Sequence, residues 1–204
     1  ALLTNNPLYL DRVKNIGVIN TEEALAWGLT GPSLRATGLA WDIRVANPYS
    51  GYDKYDFDIP VGKNGDTFDR YIVRIREMRE SLKIIEQALD ALPEGPIRSD
   101  NRKYVPPPRS ELGHSMEAVI HHFKLWTEGF PAPKGSVYVA TESPRGELGC
   151  YLEGDGSAKP LRVHFRTPSF AALQVLPKLS EGHLVADIVA IISSLDPILG
   201  DSDR

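Results

Sequence analysis

From Phe68 to Leu92 the sequence repeats large apolar residues at alternating spacings of three and four: Phe68, Tyr71, Ile75, Met78, Leu82, Ile85, Leu89 and Leu92. Only an α-helix brings such positions to one side, so the spacing predicts one long helix over about 67–92 with a coiled-coil-like seam. Asp66 and Asp69 offer carboxylates to its first amides, and Pro93 and Gly95 end it. Its other faces carry Arg70, Arg74, Arg76, Arg79, Glu77, Glu80, Lys83 and Glu86, mixed in sign at helix spacings. They read as a solvated face or a contact with another chain rather than an active site.

Shorter helices are expected on both sides of this rod. Asn20 with Glu23 forms a capping box ahead of Ala24–Trp27, with Gly28 as the stop, and Thr30–Thr37 has Pro32 near its first position and Gly38 beyond its end. A helix over about Ser115–Glu128 would place Met116, Val119 or Ile120, Phe123 and Trp126 on one side. Its adjacent His121 and His122 lie about 100° apart around the axis and suit a satisfied or exposed pair better than two ligands of one metal. Between these helices, residues 93–113 with Pro106, Pro107 and Pro108 form a stiff basic connector. Tyr49, Tyr52, Tyr55 and Phe57, interleaved with acids, read as a loop that lays its rings on a core.

After Lys134 the apolar period changes to two. Val137–Thr141, Glu147–Glu153 and Leu161–Arg166 read as strands, with Gly154-Asp155-Gly156-Ser157 turning the last two into a hairpin. Helical patterns return at Phe170–Leu179 and Leu184–Leu195, and Pro197 and Gly200 break the end of the chain. The fold class is therefore α+β, helix-dominated, with the long helix packed in a bundle and a small antiparallel sheet near the C-terminal part. The expected division is a mainly helical part over 1–133, the sheet over 134–170 and C-terminal helices with a tail over 171–204, forming one compact unit.

The 204 residues are 42% hydrophobic and 25% charged, an ordinary globular mixture. With 23 Lys plus Arg against 27 Asp plus Glu, the formal charge of −4 disfavours nucleic acid as a partner. Cys150 is the only cysteine, which excludes an internal disulfide and any four-thiolate metal site held by this chain alone. The greasiest stretch, Leu184–Leu195, is interrupted by Asp187 and is shorter than the roughly 20 residues a membrane-spanning helix needs.

Two segments serve secondary structure poorly. Glu142-Ser143-Pro144-Arg145-Gly146-Glu147 places a proline, an arginine and a glycine between two strands, which fixes a loop and aims one guanidinium. Ser194–Arg204 runs from a helix into an acidic, proline-broken tail, which composition alone would read as a frayed polar end. Together with Leu34-Arg35-Ala36, Arg74–Ser81, Ser115–Lys124 and Gly146–Gly149, these segments closely resemble the 49-kDa-type subunit of proton-pumping NADH:quinone oxidoreductase, respiratory complex I. The resemblance runs through essentially the whole chain, with its blocks in order.

That family is related to the large subunit of nickel–iron hydrogenases, where a Pro-Arg-Gly loop covers the metal and Asp-Pro-Cys-x-x-Cys holds nickel. Here Asp196-Pro197 is kept, but Ile198 and Asp201 stand where the cysteines would be, so the soft thiolates that nickel needs are lacking. The resemblance implies that the relict cavity persists without its metal and receives a quinone headgroup beside the terminal iron–sulfur cluster of a neighbouring small subunit. Pro144, Arg145, Asp196, Ile198, Asp201 and Arg204 are its expected cavity residues, with Arg145 near Asp196. NADH, flavin and iron–sulfur clusters are expected on partner subunits, and no cofactor or metal on this chain alone.

Family members are about twice as long, and their N-terminal half carries the His-containing loop and the Tyr taken to bind the quinone and deliver protons. None of the five histidines here falls in such a motif, so no catalytic proton donor is assigned. The chain is expected to be the C-terminal half of the 49-kDa-type subunit, inactive alone, in the peripheral arm of a membrane complex on the cytoplasmic or matrix side. The competing reading makes this half an assembly module with no quinone contact. A related membrane-bound hydrogenase subunit is disfavoured by the missing cysteines.

Overall fold

The computed structural model describes residues 3–203. The long helix forms as the spacing predicts, as α5 over Thr67–Asp90, with the Asp66 carboxylate accepting the Asp69 N–H at 2.8 Å. Asp69 in turn accepts the amides of Lys63 and Asn64, which fixes the chain entering the helix. Four short helices precede it: α1 (Pro7–Asp11), α2 (Thr21–Ala26), α3 (Pro32–Arg35) and α4 (Ile43–Ala46). Asn20 caps α2 through the Glu23 N–H, as the capping-box spacing anticipates. Beyond α5 come α6 (Met116–Thr127), the strands β1 (Gly135–Ser143), β2 (Gly146–Gly154) and β3 (Arg162–Arg166), and four C-terminal helices.

The sheet is antiparallel in the order β1-β2-β3, so the class is α+β with helix predominant. Pro144 and Arg145 make the two-residue turn between β1 and β2. Residues 155–161 join β2 to β3, closed by Leu161 N–H to Glu153 O at 2.8 Å. The apolar stretch read as one helix over Phe170–Leu179 is instead two, α7 (Pro168–Gln174) and α8 (Leu176–Ser180). Pro177 supplies no amide proton, so the ladder restarts there. After α9 (Val185–Leu195), the tail gains one more turn of helix, α10 (Leu199–Asp203).

By its contacts the chain forms two units. The first takes the chain up to Ala91, the hairpin segment Ala140–Gly149 and everything from Phe165 on; the second holds Leu92–Val139 and Cys150–His164. In the second unit, α6 turns Met116, Phe123 and Trp126 outward, and Tyr104 meets Phe130 edge to face at 4.9 Å. His121 and His122 are half-buried there, and one nitrogen of each has no hydrogen-bond partner.

The core of the first unit is apolar and small. Ile19, Ala24, Leu29 and Leu34 from the α2–α3 region meet Ala172, Val175, Leu179, Ile191 and Leu195 from α7, α8 and α9. Toward the interior α5 presents Val73 and, contrary to the expectation of a solvated face or a contact with another chain, Arg70, Arg74 and Glu77. Arg70 is 1% exposed and donates to Ser194 Oγ, Gly65 O, Gly17 O and Thr67 Oγ1, tying α5 to α9 and to two loops. With no carboxylate in that set, burial pushes its pKa down to about 10. The later part of the apolar seam is uncovered: Met78 is 56%, Leu82 65% and Leu89 67% exposed, while Phe68, Tyr71 and Ile75 are half-buried. Helical periodicity identifies a face but not its cover, and within this chain Arg70, Arg74 and Glu77 took the inner side.

The hairpin tip is locked against the start of α3. Gly31 and Gly146 both have positive φ, and a Cβ on Gly146 would collide with Thr30. Thr30 Oγ1 accepts the Glu147 N–H at 3.0 Å, and Arg166 donates to Glu147 O and Gly28 O. Gly146→Ala should therefore lower the urea midpoint by the equivalent of about 2–3 kcal/mol. Gly28→Ala, also at positive φ but facing open space, should cost only about 1 kcal/mol.

Candidate functional site

The first unit has a cleft of about 350 Å³ between α5, the end of β1 and the C-terminal end of α9. Its wall includes Arg35, Arg44, Arg74, Glu77, Glu142, Pro144 and Asp196. The sequence supplies these from segments far apart, and one buried guanidinium organises them.

Arg35 ends α3 and is 1% exposed. Its Nε donates to Glu77 Oε1 at 2.6 Å, and its Nη1 to Glu142 Oε1 and to Trp41 O, both at 2.9 Å. Burial alone would lower the Arg35 pKa, but the two carboxylates outweigh it and hold the pKa above its ordinary value. Burial raises the pKa of Glu77 and Glu142, and their shared guanidinium offsets only part of that. Two carboxylates on one guanidinium form an arrangement in which removal of the cation leaves two buried anions.

Asp42 sits next to this cluster, 3.6 Å from Arg35 Nη1. It caps α4 and is clasped by Arg44, with Nη2 to Oδ2 at 2.6 Å and Nε to Oδ1 at 3.0 Å. Burial works to raise its pKa, but the Arg44 hydrogen bonds and charge, with Arg35 behind them, hold it below the usual carboxylate value. The aromatic loop covers this pair. The Arg44 guanidinium stacks 4.8 Å from the Phe57 ring and 5.7 Å from Tyr52, whose ring meets Tyr49 edge to face at 5.1 Å. Tyr49 in turn accepts the Glu142 N–H at 2.9 Å.

The other rim comes from the two unusual segments. Arg145 Nη2 lies 3.3 Å from Asp196 Oδ2, and its Nε donates to Asp196 O at 3.3 Å. Asp196 closes α9 in the left-handed conformation, φ 52° and ψ 52°, an uncommon state for a residue with a Cβ and one that needs its surroundings to hold it. Pro144 and Asp196 line the cleft; Arg145, Ile198 and Asp201 do not, and Arg145 meets it only through its bridge to Asp196. Those two are fastened to the buried Ser169, whose Oγ accepts the Ile198 N–H and whose own N–H donates to Asp201 Oδ2, each at 3.3 Å. Arg204 lies outside the described residues.

Arg74 is the remaining cation. Its Nη1 donates to the carbonyls of Ser194 and Arg70, while its Nε and Nη2 are buried and have no acceptor. Burial lowers its pKa despite the attraction of Asp196 and Glu77. Leaving a buried donor unmatched costs about 1–3 kcal/mol, more for a charged one, so such groups call for an explanation.

Sequence reasoning placed Arg145 beside Asp196 but missed Arg35, Asp42, Arg44, Arg74, Glu77 and Glu142 as one cluster. The available signal was local: Arg35 stands inside the apolar Pro32–Ala36 run, and Arg70, Val73, Arg74 and Glu77 share one face of α5. Spacing alone could not say that this face was buried.

The cleft is polar and charge-compensated, with the Pro144–Arg145 turn beside it. Residues 1–204 match the family described as respiratory-chain NADH dehydrogenase, 49 Kd subunit, and the chain belongs to that family. Among NADH-quinone oxidoreductase subunits of the same kind, it is 60% identical to one from Chloroflexus aurantiacus, 57% to subunit 4 of Thermus thermophilus and 55% to one from Acidiphilium cryptum. Each match covers 100% of this chain and 50% of the relative, so the chain spans about half the length of these relatives.

The charge network predicts an acid-sensitive difference. Asp42 contributes stability that is fully present above its unfolded pKa of 3.8 and is lost as the pH falls through its lowered folded value. Asp42→Asn should therefore destabilise the chain at pH 7 by about 1–3 kcal/mol. In urea titrations between pH 7 and 3 the gap from the parent chain should close only at the acid end.

Proposed function

We propose that this chain forms part of the quinone-reducing end of a proton-translocating NADH:quinone oxidoreductase, with the cleft between α5 and the β1–β2 turn helping to receive the quinone headgroup. The observation that carries the reading is the Arg145–Asp196 bridge across the rim, where an arginine turn and a left-handed aspartate converge. The relatives' names, each that of an NADH-quinone oxidoreductase subunit, supply the reaction class.

On this reading the chain supplies walls and charge, while NADH, flavin and the iron–sulfur clusters sit on partner subunits, the terminal cluster on a neighbouring small subunit. Ile198 and Asp201, anchored through Ser169, hold the tail that backs the rim. Among the described residues no helix is long and apolar enough to cross a membrane, which suits a place in the peripheral arm, on the cytoplasmic or matrix side. The exposed seam of α5 is a surface that the rest of the assembly buries. Its large apolar side chains would otherwise face water over several turns.

Two substitutions made in the assembled complex test this. Arg145→Ala and Asp196→Asn should each lower quinone reduction on the order of ten-fold while leaving the amount of complex and its oxidation of NADH with a non-quinone acceptor unchanged. Lost assembly with normal activity per assembled complex would favour the assembly-module reading instead. Separately, Leu82→Glu with Leu89→Glu should reduce the amount of intact complex recovered on native gels.

A further inference from the structure

The second unit carries a cavity of its own, about 540 Å³ in volume, between the segment entering β1 and the turn from β2 to β3. Its apolar walls are Phe130, Pro133, Val137, Leu152, Ala158 and Pro160. Backbone closes the two sides on each other: Ala132 N–H donates to Ser157 O at 3.1 Å, and a Cβ on Gly154 would come within 2.8 Å of Pro133 O. With Pro131, Pro133 and Pro160 fixing their own φ, the walls are set before anything binds. The sheet extends this apolar surface. The two-residue turn at Pro144 and Arg145 pairs Val137 with Leu152 and Val139 with Cys150, and the Leu161 N–H to Glu153 O bond sets Arg162 opposite Leu152. One face therefore carries Val137, Leu152 and Arg162 in one row, with Val139 and Cys150 in the next. Val137 and Val139 are each 52% exposed and Leu152 39%.

Exposed cations stand around this surface. Lys134 borders the cavity, Lys159 lies between the wall residues Ala158 and Pro160, and Arg162 adjoins Leu152. None of the three makes an ion pair within 4.0 Å among the described residues. Of the two acids in the same segments, Asp155 is engaged by the Ser157 N–H at 2.8 Å, and Glu153 is half-buried beside the cavity. A preformed apolar pocket with unpaired cations at its edge suits a protein segment in which carboxylates flank one large apolar side chain. We propose that this face of the second unit docks such an acidic segment of another subunit, its apolar side chain entering the cavity and its carboxylates meeting Lys134 and Arg162. A second copy of this chain fits less well, because a two-fold pairing of the face with itself would bring the same cations together. The proposal rests on the reading that the chain works inside a multi-subunit NADH:quinone oxidoreductase, and it is independent of whether a quinone enters the cleft.

The test places a photo-crosslinking amino acid at Val139, on the same face but outside the cavity wall, in the assembled complex, and identifies the joined peptides by mass spectrometry. The expected product is one segment of another subunit in which a large apolar residue has acidic neighbours. Arg162→Glu and Lys134→Glu should each lower the yield of that product about five-fold or more, while Arg162→Lys keeps it. Ala158→Trp, which fills the cavity, should lower it as well. All these side chains are exposed, and NADH oxidation with a non-quinone acceptor reports that each variant complex is assembled. A cross-link to a further part of the same polypeptide, to a second copy, to lipid or to a segment without acidic residues overturns the proposal, as does a yield that both charge reversals leave unchanged. Should the reversals prevent assembly, the sequence joined to Val139 in the otherwise unaltered complex decides alone. No cross-link to another subunit in an active complex overturns the proposal by itself, whereas a chain recovered in no NADH-oxidising complex overturns the reading beneath it too.

Discussion

The buried guanidinium of Arg35 is the interaction on which the rest of the first unit depends. It ends a single turn of helix, yet it reaches the long helix through Glu77 and the first hairpin strand through Glu142. Three segments spread over more than a hundred residues of sequence thus converge on one side chain. In the interior such a pair is stable only when every partner is present, because each member left alone is a buried charge. The cleft is the space left beside that junction, and its walls keep their position as long as the junction holds.

The same logic divides labour among the arginines. Arg70 has only neutral acceptors and acts as a fastener between α5, α9 and the loops at Gly17 and Gly65. Arg44 is clasped by Asp42 under a lid of Tyr and Phe rings. Arg145 closes the rim by reaching the strained end of α9 at Asp196. Arg74 fastens α5 to the Ser194 carbonyl and keeps two buried nitrogens without an acceptor.

Much of this was legible before the fold was known. The caps at Asn20 and Asp66, the stops, the change of period at Lys134 and the α+β class all follow from local chemistry that the structure bears out. The approach of Arg145 to Asp196 followed from the family resemblance and not from spacing. The charge cluster was illegible because an arginine at a helix spacing looks the same whether it faces water or a carboxylate from another segment. Glu142 and Arg35 are 107 positions apart, and nothing local pairs them. For the same reason the seam of α5 was found by its period, while its exposure was not: the residues that cover an apolar face need not lie in the same stretch of chain.

The central claim is that Arg35 couples the long helix, the hairpin and the cleft through shared carboxylates. A double-mutant cycle on chain stability with Arg35→Met and Glu142→Gln measures that coupling directly. With the coupling in place, the two changes together cost less than their sum by about 2 kcal/mol or more, since each alone strands a buried polar or charged partner. Additive costs, within about 0.5 kcal/mol, would show that the two side chains act independently and would contradict it.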